Sequence, residues 1–382
     1  MQTLKDRTLK DRILAHIKVS GPMSVASYMS WCLLDPRQGY YPTRDPLGVA
    51  KNGKSDFITA PEISQMFGEV LGLWLINAWR GMGKPETVQL VEYGPGRGVM
   101  MSDMLRTARL DKDFFAAISL NLIEMSSALE AKQAETLANA GVPVRWVDSL
   151  DAVPAGPTIV IGNEYLDCLP VRQLIMKDRF KGAGGWHERM VDVNPDNPNK
   201  LIFSVSEAPI SEIDQNLLPA DIPAFKDGDL LEINPGLGQI VEALRKRFAA
   251  HSGAALFIDY GPDATELGDT FQALKKHEKV YPLDEPGHAD LTARVDFSAL
   301  GEWAEKAGLT NYGPCPQGQF LSRLGIEVRA VSLSKSSPKS KAKIARQLHR
   351  LTDVNDMGTL FKAMAIQSPD LPAPLGFGEG EQ

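Results

Sequence analysis

Val88 to Gly98 reads VQLVEYGPGRG, a short apolar run that ends in an acid and then breaks into glycines at alternate positions. Val88, Leu90 and Val91 fit a strand covered on both faces, because a buried parallel strand loses the polar alternation of a half-exposed one. Glu92 then stands at the strand's carboxyl end, where open α/β sheets take their ligands. Gly94, Gly96 and Gly98 permit a sharp turn and a close approach of backbone to ligand, and Pro95 stiffens that turn. The segment predicts a strand, a tight turn and a helix start, built to hold a nucleoside.

Two other nucleotide motifs compete for this region. The dinucleotide fingerprint GxGxxG needs a glycine or alanine at position 99, where this chain has Val99; the close helix–strand contact of that motif is therefore lost, which disfavours a dehydrogenase. Gly48 to Ser55, GVAKNGKS, matches the phosphate-loop pattern GxxxxGK[ST] letter for letter. Its context is wrong. A phosphate loop follows a buried strand and opens a helix, whereas this one lies between YYPTRDPL and DFITAP, both interrupted by proline.

E-x-G-x-G-x-G instead resembles motif I of the class I S-adenosylmethionine-dependent methyltransferases. The resemblance implies that the cofactor's methionine end lies against the glycine turn, with Glu92 neutralising or hydrogen-bonding a donor there. The next apolar run, Ile118 to Ile123, ends in Glu124. An acid at that place can accept both ribose hydroxyls, by the geometry known from dinucleotide sites; the competing reading is a carboxylate favouring a helix start. Val142 to Val147 predicts a third strand, after which Asp148 either faces the adenine amino group or acts as an N-cap before Ser149 and Leu150.

A fourth strand, Thr158 to Ile161, runs into GNEYLDCLP at Gly162 to Pro170. Polar groups at its end, Asn163 first, would border the transferable methyl. GNEYLDCLPVRQ is similar to the NEFFDALPV-type signature of the MidA family. Further matching stretches are DFITAPEISQMFGEVLGLW (Asp56 to Trp74), LFIDYG (Leu256 to Gly261), GDTFQALKKH (Gly268 to His277), PGHADLTARVDF (Pro286 to Phe297), QGQFLSRLGI (Gln317 to Ile326) and MGTLFKAMAI (Met357 to Ile366). The resemblance covers nearly the whole chain. Mitochondrial members of that family are arginine methyltransferases that act as assembly factors of respiratory complex I, so the resemblance implies S-adenosylmethionine as cofactor and an arginine of a respiratory-complex subunit as acceptor.

Methyl transfer from a sulfonium is an in-line displacement, so the nucleophile must be held about 3 Å from the carbon, away from water. A guanidinium must also be oriented and lose a proton, and a carboxylate does both through paired hydrogen bonds. Glu164 and Asp167 are the first candidates. Asp259, Asp290 and Asp296 are second candidates, each equally readable as a cap or a structural salt bridge. Tyr165 and Tyr260 are candidate aromatic walls. A small-molecule methyltransferase, or a non-catalytic assembly chaperone that keeps the cofactor fold, are the alternatives; the intact Glu92, glycines and Glu124 favour a working site.

Composition agrees. The chain has 382 residues, 43% hydrophobic, long enough for a large core with insertions. A net charge of −7 argues against a nucleic-acid substrate, which calls for a basic footprint. Cys32, Cys168 and Cys315 form no CxxC pair and six histidines form no zinc pattern, so reduced thiols and no metal are expected. MQTLKDRTLKDRILAHI lacks the apolar core of a signal peptide and does not read as a transit peptide, and no run of about 18 apolar residues spans a membrane. A cytoplasmic protein is the expectation; oligomeric state stays open.

The expected fold class is α/β, with a Rossmann-like methyltransferase sheet flanked by helices on both faces. Residues 1–84 read as a helical N-terminal region, in which Asp35 to Pro61 forms a lid over the cofactor. Residues 85–334 read as the methyltransferase domain, with insertions at about 171–228 and 262–296. The first alternates as antiparallel strands around the NPDNPN turn, Asn194 to Asn199; the second has no regular period. Residues 335–382 read as a basic linker, a helix whose core stripe runs from Ile344, Leu348 and Leu351 to Leu360, Phe361 and Met364, and a poorly ordered tail from Pro369.

Overall fold

The computed structural model describes residues 7–43, 59–178 and 184–378. The chain forms two compact units, one from the described parts of Met1–Phe57, Asp167–Gln239 and Ala264–Ala299, the other from those of Ile58–Leu166, Ile240–Asp263 and Leu300–Gln382.

The second unit carries a seven-stranded sheet: β1 Val88–Tyr93, β2 Ile118–Ile123, β3 Val144–Val147, β4 Thr158–Asn163, β5 Gly253–Tyr260, β6 Thr310–Pro316 and β7 Phe361–Gln367. Their order across the sheet is β3-β2-β1-β4-β5-β7-β6. The first five run parallel to one another, while β7 runs antiparallel to both β5 and β6. Strand order reverses between β1 and β4, the switch point at which such sheets bind ligands, so the expected Rossmann-like α/β class holds. Every residue of β1, β4 and β7 is buried, including the polar Gln89, Glu92, Asn163, Lys362 and Gln367, so these strands are covered on both faces.

Helix packing over this sheet also has a sequence cause. Helix Gln65–Gly81 carries Gly68 and Gly72 toward helix Val99–Ala108, where an added Cβ would stand 2.9 Å from the Met100 carbonyl oxygen and 2.8 Å from that of Met104. The two glycines thus let the helix backbones close on each other, and Trp74, Phe67, Met101 and Met104 fill the core alongside.

In the first unit the helices Leu9–Ser20 and Val25–Leu34 share one core with the inserted segments: Ile13, Tyr28 and Leu33 cluster with Val191, Leu201 and Leu291. Thr8 opens the first helix with a capping box to Asp11. The strands Met23–Ser24, Arg172–Lys177, Gly185–Asn194, Asn197–Pro209 and Leu230–Ile233 form an antiparallel sheet. At its hairpin, Asn194 Oδ1 accepts from the N–H of Asp196 at 2.8 Å and of Asn197 at 3.2 Å, the local bond that makes asparagine a turn residue.

Four expectations need correction. The second insertion is regular: Gln272–Lys275, Glu278–Val280 and Asp290–Thr292 form a three-stranded antiparallel sheet, with strands too short to display a period. Phe361 and Met364 do not continue a helical stripe; helix Lys341–Thr352 ends, a short helix Met357–Leu360 intervenes, and both residues lie in β7. Thr310–Pro316 is a strand that the sequence reading omitted. The described tail is packed rather than loose, with Phe377 buried against Phe320 at a ring separation of 5.1 Å. Of the expected lid, Asp35 pairs with Arg12 at 2.6 Å and Tyr40–Thr43 is helical; residues 44–58, with the phosphate-loop match Gly48 to Ser55, lie outside the described residues.

Candidate active site

The carboxyl ends of β1, β2 and β4 bring together most of the expected cofactor residues. β1 delivers Glu92, which faces Leu122 of β2 and Ile161 of β4 in register. After it the chain turns through three left-handed glycines, Gly94, Gly96 and Gly98, with φ of 57°, 54° and 76°. The turn has little spare room, since a Cβ on Gly94 would lie 2.9 Å from a ring carbon of Tyr165, and that ring stacks on Tyr93 at 5.0 Å. Gly98 then serves as the N-cap of helix Val99–Ala108 with no side chain to satisfy the first N–H groups. Exposed N–H groups at a helix start suit an anionic ligand group.

Glu92 is 1% exposed, and its Oε2 has no hydrogen-bond partner among the described residues. Burial, with a smaller contribution from the Glu124 charge, pushes its carboxyl up to about 8. A buried acid in that state favours a cationic or hydrogen-donating ligand, because an unpaired charge there is costly. Asn163, the last residue of β4, likewise leaves its Oδ1 buried and unpartnered while its Nδ2 donates to Glu164 Oε1 at 3.1 Å. Two orphaned acceptors thus stand on neighbouring strand ends. A cofactor with an ammonium and a sulfonium fits these residues chemically.

Glu124 is held by its surroundings. Its Oε1 accepts from the N–H of Met125 at 2.9 Å and of Ser126 at 2.7 Å, and its Oε2 accepts from Gln133 Nε2 at 2.9 Å. Burial still raises its carboxyl above the ordinary value, against the pull of those donors. Gln133, wholly buried in helix Ser127–Thr136, spends its other amide hydrogen on the Gly96 carbonyl at 2.8 Å, and its oxygen accepts from the Trp146 indole at 2.9 Å. The sequence reading missed this residue; in SALEAKQAET it looks like one more polar residue of a solvated helix. Asp148 is exposed, and its carboxylate accepts from the adjacent Ser149 hydroxyl at 3.0 Å.

Glu164 has a positive φ of 51°, rare for a residue with a Cβ. Strain of this kind persists where the surroundings over-determine it: the Glu164 N–H donates to the Ile258 carbonyl at 2.9 Å, and Oε1 accepts from the Ala60 N–H at 2.9 Å as well as from Asn163. Oε2 carries no hydrogen bond among the described residues. Burial pushes the carboxyl up to about 7, opposed by the Ala60 N–H, the Asn163 amide and the charge of Arg350. Among the described residues, one oxygen is anchored and the other is without a hydrogen bond.

The remaining acids differ. Asp259 is 1% exposed and uses both oxygens on backbone, accepting from the Leu166 N–H at 2.8 Å and the Tyr260 N–H at 2.9 Å, so it pins the loop that follows Glu164. Asp167 and Asp290 belong to the first unit. There the Asp167 carbonyl accepts from the Ala293 N–H at 2.9 Å and Asp290 accepts from the Tyr41 hydroxyl at 2.9 Å. Asp296 accepts from Thr265 Oγ1 at 2.8 Å and from the Ala299 N–H at 2.9 Å, the bonds of a helix cap. Tyr260 packs against Phe361 at 5.8 Å.

Fold, glycine turn and strand-end acids together define a Rossmann-like methyltransferase. Residues 70–315 match the model of a family of S-adenosyl-L-methionine-dependent methyltransferases, and the chain belongs to that family. The mitochondrial protein arginine methyltransferase NDUFAF7 of Danio rerio is 36% identical over 94% of this chain and 87% of its own length; that of Homo sapiens is 37% identical over 93% and 82%. A crystal structure from Burkholderia thailandensis bound to S-adenosyl-homocysteine is 28% identical, covers 98% of this chain and 95% of its own, and superposes with a TM-score of 0.84. This protein is therefore an enzyme that uses S-adenosylmethionine.

The expected cytoplasmic location is overturned by the same comparison, because these curated relatives are named as mitochondrial proteins. An N-terminal stretch of mixed charge describes that stretch and does not decide a compartment. Among the described residues, no helix is long and apolar enough to cross a membrane.

Proposed function

We propose that this enzyme transfers methyl groups to an arginine of a protein substrate, with Glu164 as the group that orients the guanidinium and takes up its proton. The observation that carries the reading is the Glu164 carboxyl itself: one oxygen fixed by Ala60 and Asn163, the other without a hydrogen bond among the described residues, and a pKa raised to about 7. A proton acceptor works best when its pKa lies near the operating pH. The relatives named protein arginine methyltransferases support the choice of acceptor, and the MidA resemblance makes a respiratory complex I subunit the substrate to test first.

The bound cofactor supplies an electrophilic methyl on a sulfonium. Around it, Glu92 would face the ammonium, Gly94, Gly96 and Gly98 would give the backbone close approach, and Glu124 would meet the ribose hydroxyls. Asn163 Oδ1 would border the methyl. Asp148, exposed beyond β3, would meet the adenine edge. Asp259 would act by holding Leu166, and through it the loop that Glu164 opens.

The test is to incubate purified protein with methyl-labelled cofactor and cell lysate, then identify the labelled product by mass. Label on a protein arginine is the expected result. Label only on small molecules would sink the reading.

A further inference from the structure

Between Glu327 and Asp353 the chain holds no acidic residue, and besides Arg329 it carries Lys335, Lys339, Lys341, Lys343, Arg346 and Arg350. That run stands out in a protein of net charge −7. Helix Lys341–Thr352 buries Ile344 and Leu351, which places Lys343, Arg346 and Arg350, three and four positions apart, on one exposed ridge. Among the described residues none of these three cations is in an ion pair or a hydrogen bond. Acids on other helices of this unit are used differently: Glu69 takes both Arg106 and Arg329.

The ridge is tied to the candidate catalytic carboxylate. Gln347, on the same helix, donates to the Ile63 carbonyl at the end of the short helix Ala60–Ile63. The first N–H of that short helix, on Ala60, holds Glu164 Oε1 at 2.9 Å. Arg350 lies close enough for its charge to act on Glu164. From Arg350 to Lys343 the ridge extends roughly 10 Å at about 1.5 Å per residue, which an extended peptide covers in about three residues.

A cation beside the place where a cationic guanidinium must dock repels the substrate unless the substrate brings its own negative charge. We propose that the ridge Lys343, Arg346 and Arg350 docks an acidic segment of the protein substrate, with Asp or Glu within about three or four residues of the target arginine. The proposal rests on the arginine reading of the active site and adds the sequence character of the substrate. Acids on the segment would pair with the ridge and neutralise Arg350, leaving the guanidinium to Glu164.

The experiment uses the full-length protein loaded with S-adenosyl-homocysteine for binding and with labelled S-adenosylmethionine for transfer. The probes are two synthetic peptides, each with a central arginine, one flanked by Asp and Glu and the other by Lys, and a third acidic peptide lacking the arginine. Both acidic peptides should bind, and binding should weaken with added salt. Lys343→Glu combined with Arg346→Glu should weaken it at least tenfold while cofactor affinity stays unchanged; Lys343→Ala with Arg346→Ala gives a milder second pair should reversal disturb folding. Equal binding of acidic and basic peptides, no binding of either, or binding indifferent to both pairs would overturn the docking surface. Ridge-dependent binding with no label on arginine would support the docking surface and overturn the arginine reading. Label on both arginine peptides alike, indifferent to the ridge, would overturn docking and leave the arginine reading intact.

Discussion

Gln133 Nε2 lies 2.9 Å from Glu124 Oε2 and 2.8 Å from the Gly96 carbonyl oxygen, so one buried amide fixes the second-strand acid to the glycine turn. With Trp146 on its oxygen at 2.9 Å, the amide has only one orientation that satisfies all its partners. The turn carbonyl is thereby held toward the helix. If Glu124 and the turn hold the cofactor as proposed, Gln133 acts as a positioning residue.

Gln133→Leu strips a partner from each of three groups and should cost about 1–3 kcal/mol of stability, seen as a lower Tm. Gln133→Glu is the sharper variant. A second carboxylate beside Glu124 should weaken cofactor binding at neutral pH, and the ratio of variant to wild-type Kd should shrink as acidification neutralises it. A ratio that does not move with pH would make Gln133 a packing residue only.

Glu92 sets a pH dependence with a definite sign. Its carboxyl is raised from 4.5 to about 8, so pairing it with a cofactor cation below pH 8 requires release of a proton. Affinity should rise about tenfold per pH unit up to about 8 and then level. Calorimetry at pH 7 in buffers of different ionisation enthalpy should show close to one proton released, and none for Glu92→Gln.

The same shift governs the cofactor-free protein. Between pH 4.5 and about 8 the folded state binds more protons at Glu92 than the unfolded state does, so its contribution to stability falls as pH rises through that window. Glu92→Gln should therefore raise Tm above pH 8 and leave it nearly unchanged below about pH 4.5. An equal effect at both ends would place the shift elsewhere.

Gly94→Ala combines a left-handed φ of 57° with a Cβ 2.9 Å from Tyr165. The backbone part alone costs about 1–2 kcal/mol. Cofactor affinity by calorimetry should fall more than Tm does, and adding Tyr165→Ala should recover only the steric part. Full recovery would mean that φ is not constrained.

Glu164→Gln should keep cofactor affinity and lose most transfer, because an amide does not take up the guanidinium proton. Wild-type transfer should rise with pH through about 7, where Glu164 ionises. A variant that keeps the rate and its pH profile would move the chemistry to another carboxylate.

The parallel strands were legible because burial on both faces writes itself as an apolar run closed by a polar residue: β1 by Glu92, β2 by Glu124, β4 by Asn163. Turn chemistry was legible at Asn194. What stayed hidden depended on contacts distant in sequence. Gln133 is polar in a polar helix, and only the fold shows that it is buried. Phe377 sits among Pro and Gly and was read as tail, yet its partner is Phe320. Lys362 breaks the apolar pattern of β7, but its Nζ finds the Thr359 carbonyl at 2.6 Å, so a residue that reads as exposed lies in the core. The shared core of the N-terminal helices and both insertions joins Leu9 to Leu291, a pairing that no local pattern encodes.

β7 lies between β5 and β6, although it follows both in the chain. It works as a keystone. A protein shortened before Phe361 would leave β5 with an open side and β6 with no strand to pair with among the described residues. Such edges recruit other chains. A segment that contributes no residue to the proposed chemistry thus keeps the middle of the sheet from becoming an edge.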